Sequence, residues 1–326
     1  MRILLARTDR IGDLILSTPA ISTVRASFPG AHIAMVTSAY NHVVMERNDD
    51  VDELLVLGDV GDAARLGGTL RDYDLAVALA PRIVDLRLVG ATHAKHRIGY
   101  TYARRWVSRL TARLYVDELM ISEADPRLSE RDPGRQVRHE VEQLLDLVAM
   151  AGARRRITRL RLDVRDGDRA AVRDVPENPI VFHLGLRWFD EGSTAESTQA
   201  LLRELGDLGQ PVVVTCPDEC LAFAAALEPP HGGAILSGLA FFEWAAVFER
   251  AACIVTVDTA ATHVASAVRR PTLVVFEHRY FELNSQEWAP YGVPNVLVRK
   301  PASEDSASLA RLRRAIVEGA SRLMHA

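Results

Sequence analysis

The chain has 326 residues, long for a single core and comfortable for two domains. With 48% hydrophobic and 25% charged residues it reads as globular, and its net charge of −4 leaves no global field to draw in nucleic acid. The start lacks the basic region, apolar core and cleavage site of a signal peptide, and no apolar run approaches the roughly 18 residues of a membrane span, so a cytoplasmic protein is expected.

Ile3 to Ala6 is an apolar run too short for a helix and rich enough in branched residues for a buried strand, expected over 2–6. Thr8, Asp9, Arg10, Gly12 and Asp13 then crowd a turn, and Leu14, Ile15, Ala20, Ile21 and Val24 recur at helical spacing, so a helix opens near Asp13. Strand, polar turn and helix make the first half of a βαβ unit, and ligands bind outside the carboxyl ends of such strands. Gly12 permits close backbone approach there. Asp13 stands either as a carboxylate facing the crevice or as an ordinary helix cap.

Further strands are expected over 32–37, 53–57, 74–79 and 97–99, with helices over 14–27, 40–47, 63–71 and 82–90. This alternation calls for a parallel sheet covered on both faces. From Arg82 to Arg113, eight Lys or Arg residues face one acid, Asp85, with His93 and His96 among them. Solvated faces mix signs, so a one-signed patch points to an anionic ligand or a membrane surface. Residues 123–138 read as a loop and 139–151 as a helix stopped by Gly152, and the charged stretch 165–178 reads as the interdomain passage.

A second alternating series follows. Strands are expected over 180–184, 211–215, 234–236, 254–257, 272–276 and 295–298, and helices over 194–208, 219–227, 242–251, 260–268 and 306–324. The expected organisation is therefore α/β, with two Rossmann-like domains, 1–165 and 166–326, facing a central cleft of the kind ligands prefer.

In the second half the run Ile254–Ala267 places a buried strand before Asp258, with Thr259, Thr262 and His263 opening a helix. Helix N-termini present free N–H groups and a positive dipole end, which suit phosphate. The alternative is a capped helix with His263 packed on the sheet. Asp50-Val-Asp52, Asp72-Tyr-Asp74 and Asp166-Gly-Asp168 have D-x-D spacing, but two precede strands and the third lies in the charged passage, so no metal site is expected. Cys216, Cys220 and Cys253 read as interior residues. Dinucleotide, P-loop, α/β-hydrolase and zincin signatures are absent.

Several stretches together resemble one family. Thr8-Asp-Arg-Ile-Gly-Asp-Leu-Ile-Leu-Ser-Thr-Pro-Ala-Ile21, continuing into 25–31, is similar to the N-terminal signature of the family 9 glycosyltransferases, the ADP-heptose:lipopolysaccharide heptosyltransferases. Asn48–Glu53, Arg97–Tyr100, Asp258–His263 and Trp288–Gly292 fall in matching order. The resemblance implies the GT-B fold, with the acceptor on the N-terminal domain and the nucleotide-sugar on the C-terminal one. It implies inverting, metal-independent transfer with Asp13 as base. Donor contacts would come from Arg187, Glu219, Asp258, Thr259, Ala260, Thr262 and His263. Acceptor contacts would come from Arg10, Gly12, His96, Arg97, Arg104 and Arg105. Where the family has Gly after its Asp-Ser/Thr pair, this chain has Ala260-Ala261; in place of Phe-Gly-Pro-Thr it has Phe276-Glu-His-Arg; and the usual Lys after His183 is missing.

The expected function is thus heptose transfer from ADP-heptose to a hydroxyl of an acidic or phosphorylated glycan such as lipopolysaccharide inner core. No cofactor beyond the nucleotide-sugar co-substrate and no nucleic-acid partner is expected, and a peripheral contact with the inner membrane is open. The alternatives are a natural-product or other glycan acceptor, a nucleotide-sugar epimerase of the same fold, and a non-catalytic binding protein that has lost donor affinity through Ala260 and Glu277.

Overall fold

The computed structural model describes residues 1–103, 105–123, 134, 136–189, 193–303 and 305–325. The chain divides into two compact units, the change falling between Leu162 and Asp163.

In the first unit, β1 (Arg2–Ala6), β2 (His32–Ser38), β3 (Glu53–Leu57), β4 (Leu75–Ala78), β5 (His96–Tyr102) and β6 (Glu118–Ser122) form one sheet in the order β3-β2-β1-β4-β5-β6. Every pairing is parallel. Helices α1 (Ile11–Ser27), α2 (Ala63–Thr69), α3 (Ile83–Ala91), α4 (Trp106–Ala112) and α5 (Glu140–Met150) complete it. Leu4, Ala6, Ala34, Val36, Ala76 and Ala78 cluster with Leu86, Leu88 and Val89 of α3. The alternate residues Ile3, Leu5, Ile33 and Met35 are equally buried, so both sheet faces are covered, as parallel strands require. Pro19 lies inside α1 and cannot donate to the Ile15 carbonyl. The Thr18 hydroxyl donates to that carbonyl instead, at 2.7 Å, which keeps the helix whole.

The second unit repeats the plan. Helix α6 (Asp166–Ala171) precedes β7 (Ile180–His183), β8 (Val212–Thr215), β9 (Ala234–Leu236), β10 (Cys253–Val257), β11 (Thr272–Phe276) and β12 (Asn295–Arg299). The sheet order is β12-β11-β10-β7-β8-β9, again all parallel. Its helices are α7 (Ala195–Gly206), α8 (Leu221–Ala224), α9 (Phe241–Arg250), α10 (Ala260–Ala267), α11 (Phe281–Glu287) and α12 (Ser306–Met324). Phe182, Val214, Val255 and Val275 anchor its core, against Leu201, Leu205 and Ile316 from the helices.

Several expectations need correction. The helix expected over 40–47 is a single 3₁₀ turn, His42–Val44. The Asn41 side chain captures the backbone there, accepting from the Ser38 amide at 2.8 Å and donating to the Arg7 carbonyl at 3.1 Å. The helix expected over 219–227 shrinks to α8 after a 3₁₀ turn. The passage 165–178 contains α6, and β6, α4 and α11 went unforeseen. Asp50, Asp52 and Asp74 hold structure: Asp50 accepts from Ser22, Asp52 from Arg25 and the Ile33 amide, and Asp74 from Lys95. The loop expected over 123–138 falls largely outside the described residues. Among the described residues no helix is long and apolar enough to cross a membrane.

Candidate functional site

Each sheet reverses strand order once, β1 against β4 in the first unit and β7 against β10 in the second, and ligands of open α/β sheets bind outside the strand ends at such points.

In the first unit the chain leaves β1 through Arg7, whose guanidinium is buried at 2% exposure. It donates to both Asp9 carboxylate oxygens at 3.0 and 3.2 Å, to Ser17 at 3.2 Å, to the Leu79 carbonyl at 2.6 Å and to Glu140 at 2.9 Å. Tyr100 also donates to Glu140, at 2.7 Å. One cation therefore organises the ends of β1, β4 and β5 and the start of α5. Burial lowers the Arg7 pKa, but the surrounding carboxylates more than offset that and keep it charged.

Asp13 is the third residue of α1 and does not cap it, since the cap position is Arg10. Its carboxylate lies 3.6 Å from Arg7 and keeps 17% exposure, so it stays partly open. Its pKa is pushed up to about 7, first by burial and then by the neighbouring Asp9 charge, against the opposing pull of Arg7. Arg10, exposed, and Gly12, buried, share this turn. Asp85 takes the matching third position in α3, accepts from the Thr8 amide at 2.8 Å, and is likewise pushed to about 7, first by burial. Among the described residues one oxygen of Glu140 is buried without a hydrogen-bond partner. Asp9, a turn residue in the sequence reading, thus joins a cluster whose other members, Arg7, Asp85, Tyr100 and Glu140, no local motif announces.

The expected acceptor residues separate. His96 and Arg97 begin β5, at the opposite edge of the sheet, paired with Glu118 at 2.8 Å and Asp117 at 2.6 Å. They do not join the Asp13 turn, because they open β5 whereas that turn follows the end of β1. Arg105 follows β5 on the Asp13 edge, its guanidinium 4.5 Å from the Tyr102 ring centre. Arg104 lies outside the described residues.

In the second unit the turns after β7 and β10 meet. A Cβ on Gly185 would stand 3.0 Å from the Thr259 methyl and 3.3 Å from Val257, so only glycine fits without displacement. Arg187 donates to the Asp258 carboxylate at 2.5 Å and its carbonyl at 2.9 Å, and lies 3.6 Å from Glu277 after β11. Asn284 donates to Asp258 at 3.1 Å, and buried Lys300 donates to the Arg187 carbonyl at 2.7 Å. The Thr259 side chain caps α10 by accepting from the Ala261 amide at 3.3 Å, with Ala260 beside it. Thr262 corrects the expectation of an open donor: fully buried, it donates to the Val257 carbonyl at 3.4 Å. His263 is buried at 5% exposure in the first turn of α10. Glu219 stands exposed after β8, on the same edge but bonded to none of these residues. His183, at the end of β7, is kept neutral by burial, its pKa pulled down to about 4.

Among the described residues no group of three or more His, Cys, Asp or Glu is arranged to hold a metal ion. A cavity of about 310 Å³, lined by Arg169, Glu249, Arg250 and Arg270, opens at the other edge of the second sheet, away from these turns.

Residues 170–315 match the family described as glycosyltransferase family 9 (heptosyltransferase). Over 287 residues the chain is 25% identical to lipopolysaccharide heptosyltransferase 3 of Escherichia coli strain K12, covering 81% of this chain and 79% of that protein. The solved structure of E. coli ADP-heptose LPS heptosyltransferase II matches with a TM-score of 0.74 and 20% identity, over 100% of this chain and 99% of that one. E. coli heptosyltransferase WaaC with ADP matches with a TM-score of 0.70 and 17% identity, over 100% of both chains. The paired six-stranded parallel sheets are thus the α/β, GT-B fold of those enzymes.

Proposed function

With a family 9 glycosyltransferase domain over residues 170–315 as premise, we propose that this enzyme moves heptose from ADP-heptose to a hydroxyl of an acidic or phosphorylated glycan, lipopolysaccharide inner core above all. The transfer inverts the anomeric centre and uses no metal and no cofactor beyond the nucleotide-sugar. It proceeds in the cytoplasm. Asp13 takes the proton as the acceptor oxygen attacks the anomeric carbon and the nucleoside diphosphate departs. Arg10, Gly12 and Arg105 face the acceptor. Thr259, Ala260 and the N-terminal turn of α10 receive the diphosphate, helped by Arg187, while Glu219 holds the nucleoside.

The observation that carries this reading is the state of Asp13: partly open, with a pKa near 7. A base works best when its pKa lies near the working pH. The names of the relatives, which use ADP-heptose or build lipopolysaccharide, support the donor and acceptor class.

The test follows ADP release from ADP-heptose with a heptose-free inner-core acceptor, in the presence of EDTA. Asp13→Asn should lower kcat by about 10²–10⁴-fold, the usual contribution of a positioned base, with ADP affinity unchanged. Wild-type kcat/KM should fall as pH drops through about 7, where Asp13 takes up its proton. Full activity in Asp13→Asn would remove the base.

A second reading is transfer of another nucleotide-activated sugar, since Ala260, Ala261 and Glu277 stand where the resembled family carries other residues around the donor turn. A panel of ADP-, GDP- and UDP-sugars separates the two. Conversion of a nucleotide-sugar without any acceptor would mark an epimerase instead.

A further inference from the structure

Helix α4 presents its apolar side to solvent. Trp106, Val107 and Leu110, with Leu114 in the turn that follows, are 68%, 52%, 63% and 76% exposed, whereas Ala112 is the helix residue that faces inward. At about 100° per residue these four positions fall within a sector of roughly 100°, so they form one stripe. A surface helix normally buries such a stripe, and contiguous exposed apolar surface marks an interaction site.

The rim of the stripe is basic. Arg109 and Arg113 are exposed, Arg105 is half-buried, and Arg87 reaches over from α3 to bond the Tyr115 hydroxyl at 3.3 Å. Among the described residues no carboxylate pairs with Arg109 or Arg113. Residues 86–116 contain no Asp or Glu at all. The acids that pair with Lys95, His96 and Arg97 act at the far edge of the sheet and leave the arginines of this patch charged.

We propose that α4 and its following turn dock on an anionic lipid bilayer, the apolar stripe entering the headgroup boundary and the arginines meeting lipid phosphates. Charge complementarity selects this occupant. Exposed Trp and Leu beside arginines are the composition of interfacial helices, and each basic residue at an anionic surface adds to binding. The helix starts just after β5, on the sheet edge that carries Asp13, so docking would bring that edge to a membrane-anchored acceptor. The surface stands independently of the sugar transferred.

Flotation of the full chain with vesicles tests this directly. The wild type should float with phosphatidylglycerol–phosphatidylethanolamine vesicles, remain behind with pure phosphatidylcholine, and release as salt rises. Leu110→Asp with Leu114→Asp, and separately Arg109→Glu with Arg113→Glu, should each cut the bound fraction about tenfold or more, with melting temperature and turnover of a soluble acceptor unchanged. A wild type that floats with neither vesicle would overturn the proposal, as would variants that float like the wild type. A dimer in sedimentation that the Leu110→Asp, Leu114→Asp pair dissolves would also overturn it, by assigning the stripe to a second copy of the chain. Vesicle flotation and sedimentation do not involve the donor, so failure there leaves the transfer reading untouched.

Discussion

Asp13 and Asp85 are the same side chain at the third position of two helices, each launched from the end of a central strand, and both have a pKa near 7. Exposure separates them. Asp13 keeps a view of solvent and can exchange a proton with an acceptor, whereas Asp85 is sealed and holds the Thr8 amide. A carboxyl whose folded pKa lies above its unfolded value of 3.8 favours folding at low pH, and loses that contribution as pH rises from 3.8 through about 7. Asp85→Asn can still accept from Thr8 without a charge to bury, so it should gain on the order of 2 kcal/mol over the wild type at pH 8, with little difference at pH 4. Chemical denaturation at the two pH values checks this, and equal gains at both would refute the assignment. Asp13 was legible because it sits in a recognisable strand–turn–helix. The Arg7 beside it looked like any residue following a strand, and Glu140, which pairs with Arg7, comes from far along the chain.

At the scale of elements, the strands of both sheets were readable because buried parallel strands are short apolar runs bounded by turns. The helices α4 and α6 escaped because periodicity signals burial, and these helices bury almost nothing. Close packing adds constraints that composition does not reveal. A Cβ on Gly233, at the entry to β9, would lie 2.0 Å from the Val212 carbonyl oxygen, while one on Gly68 in α2 would meet nothing within 4 Å. Gly233→Ala should therefore lose about 1–3 kcal/mol or more, and Gly68→Ala should gain about 0.5–1 kcal/mol by stiffening the unfolded chain and favouring helix. Thermal melts of the two variants should move in opposite directions.

For the whole molecule, each unit has its own six-stranded sheet and its own core. The second also contains the whole of the family-matched stretch, 170–315. A fragment spanning 163–326 should accordingly fold by itself and melt in one cooperative transition by circular dichroism, and a fragment lacking near-UV signal would show that this core depends on the rest of the chain. The sequence alone determined the α/β class, the repeated alternation and the turns that hold Asp13 and Asp258, because these depend on local patterns of apolar residues and breakers. Tertiary structure decided which charges matter. Arg7 joins the carboxylates of its own turn, Asp9 and Asp13, to Glu140 from far along the chain, acids a strand away pair with Lys95, His96 and Arg97 out of an apparent basic patch, and α4 faces outward, since electrostatics and burial depend on distance in space and not on spacing along the chain.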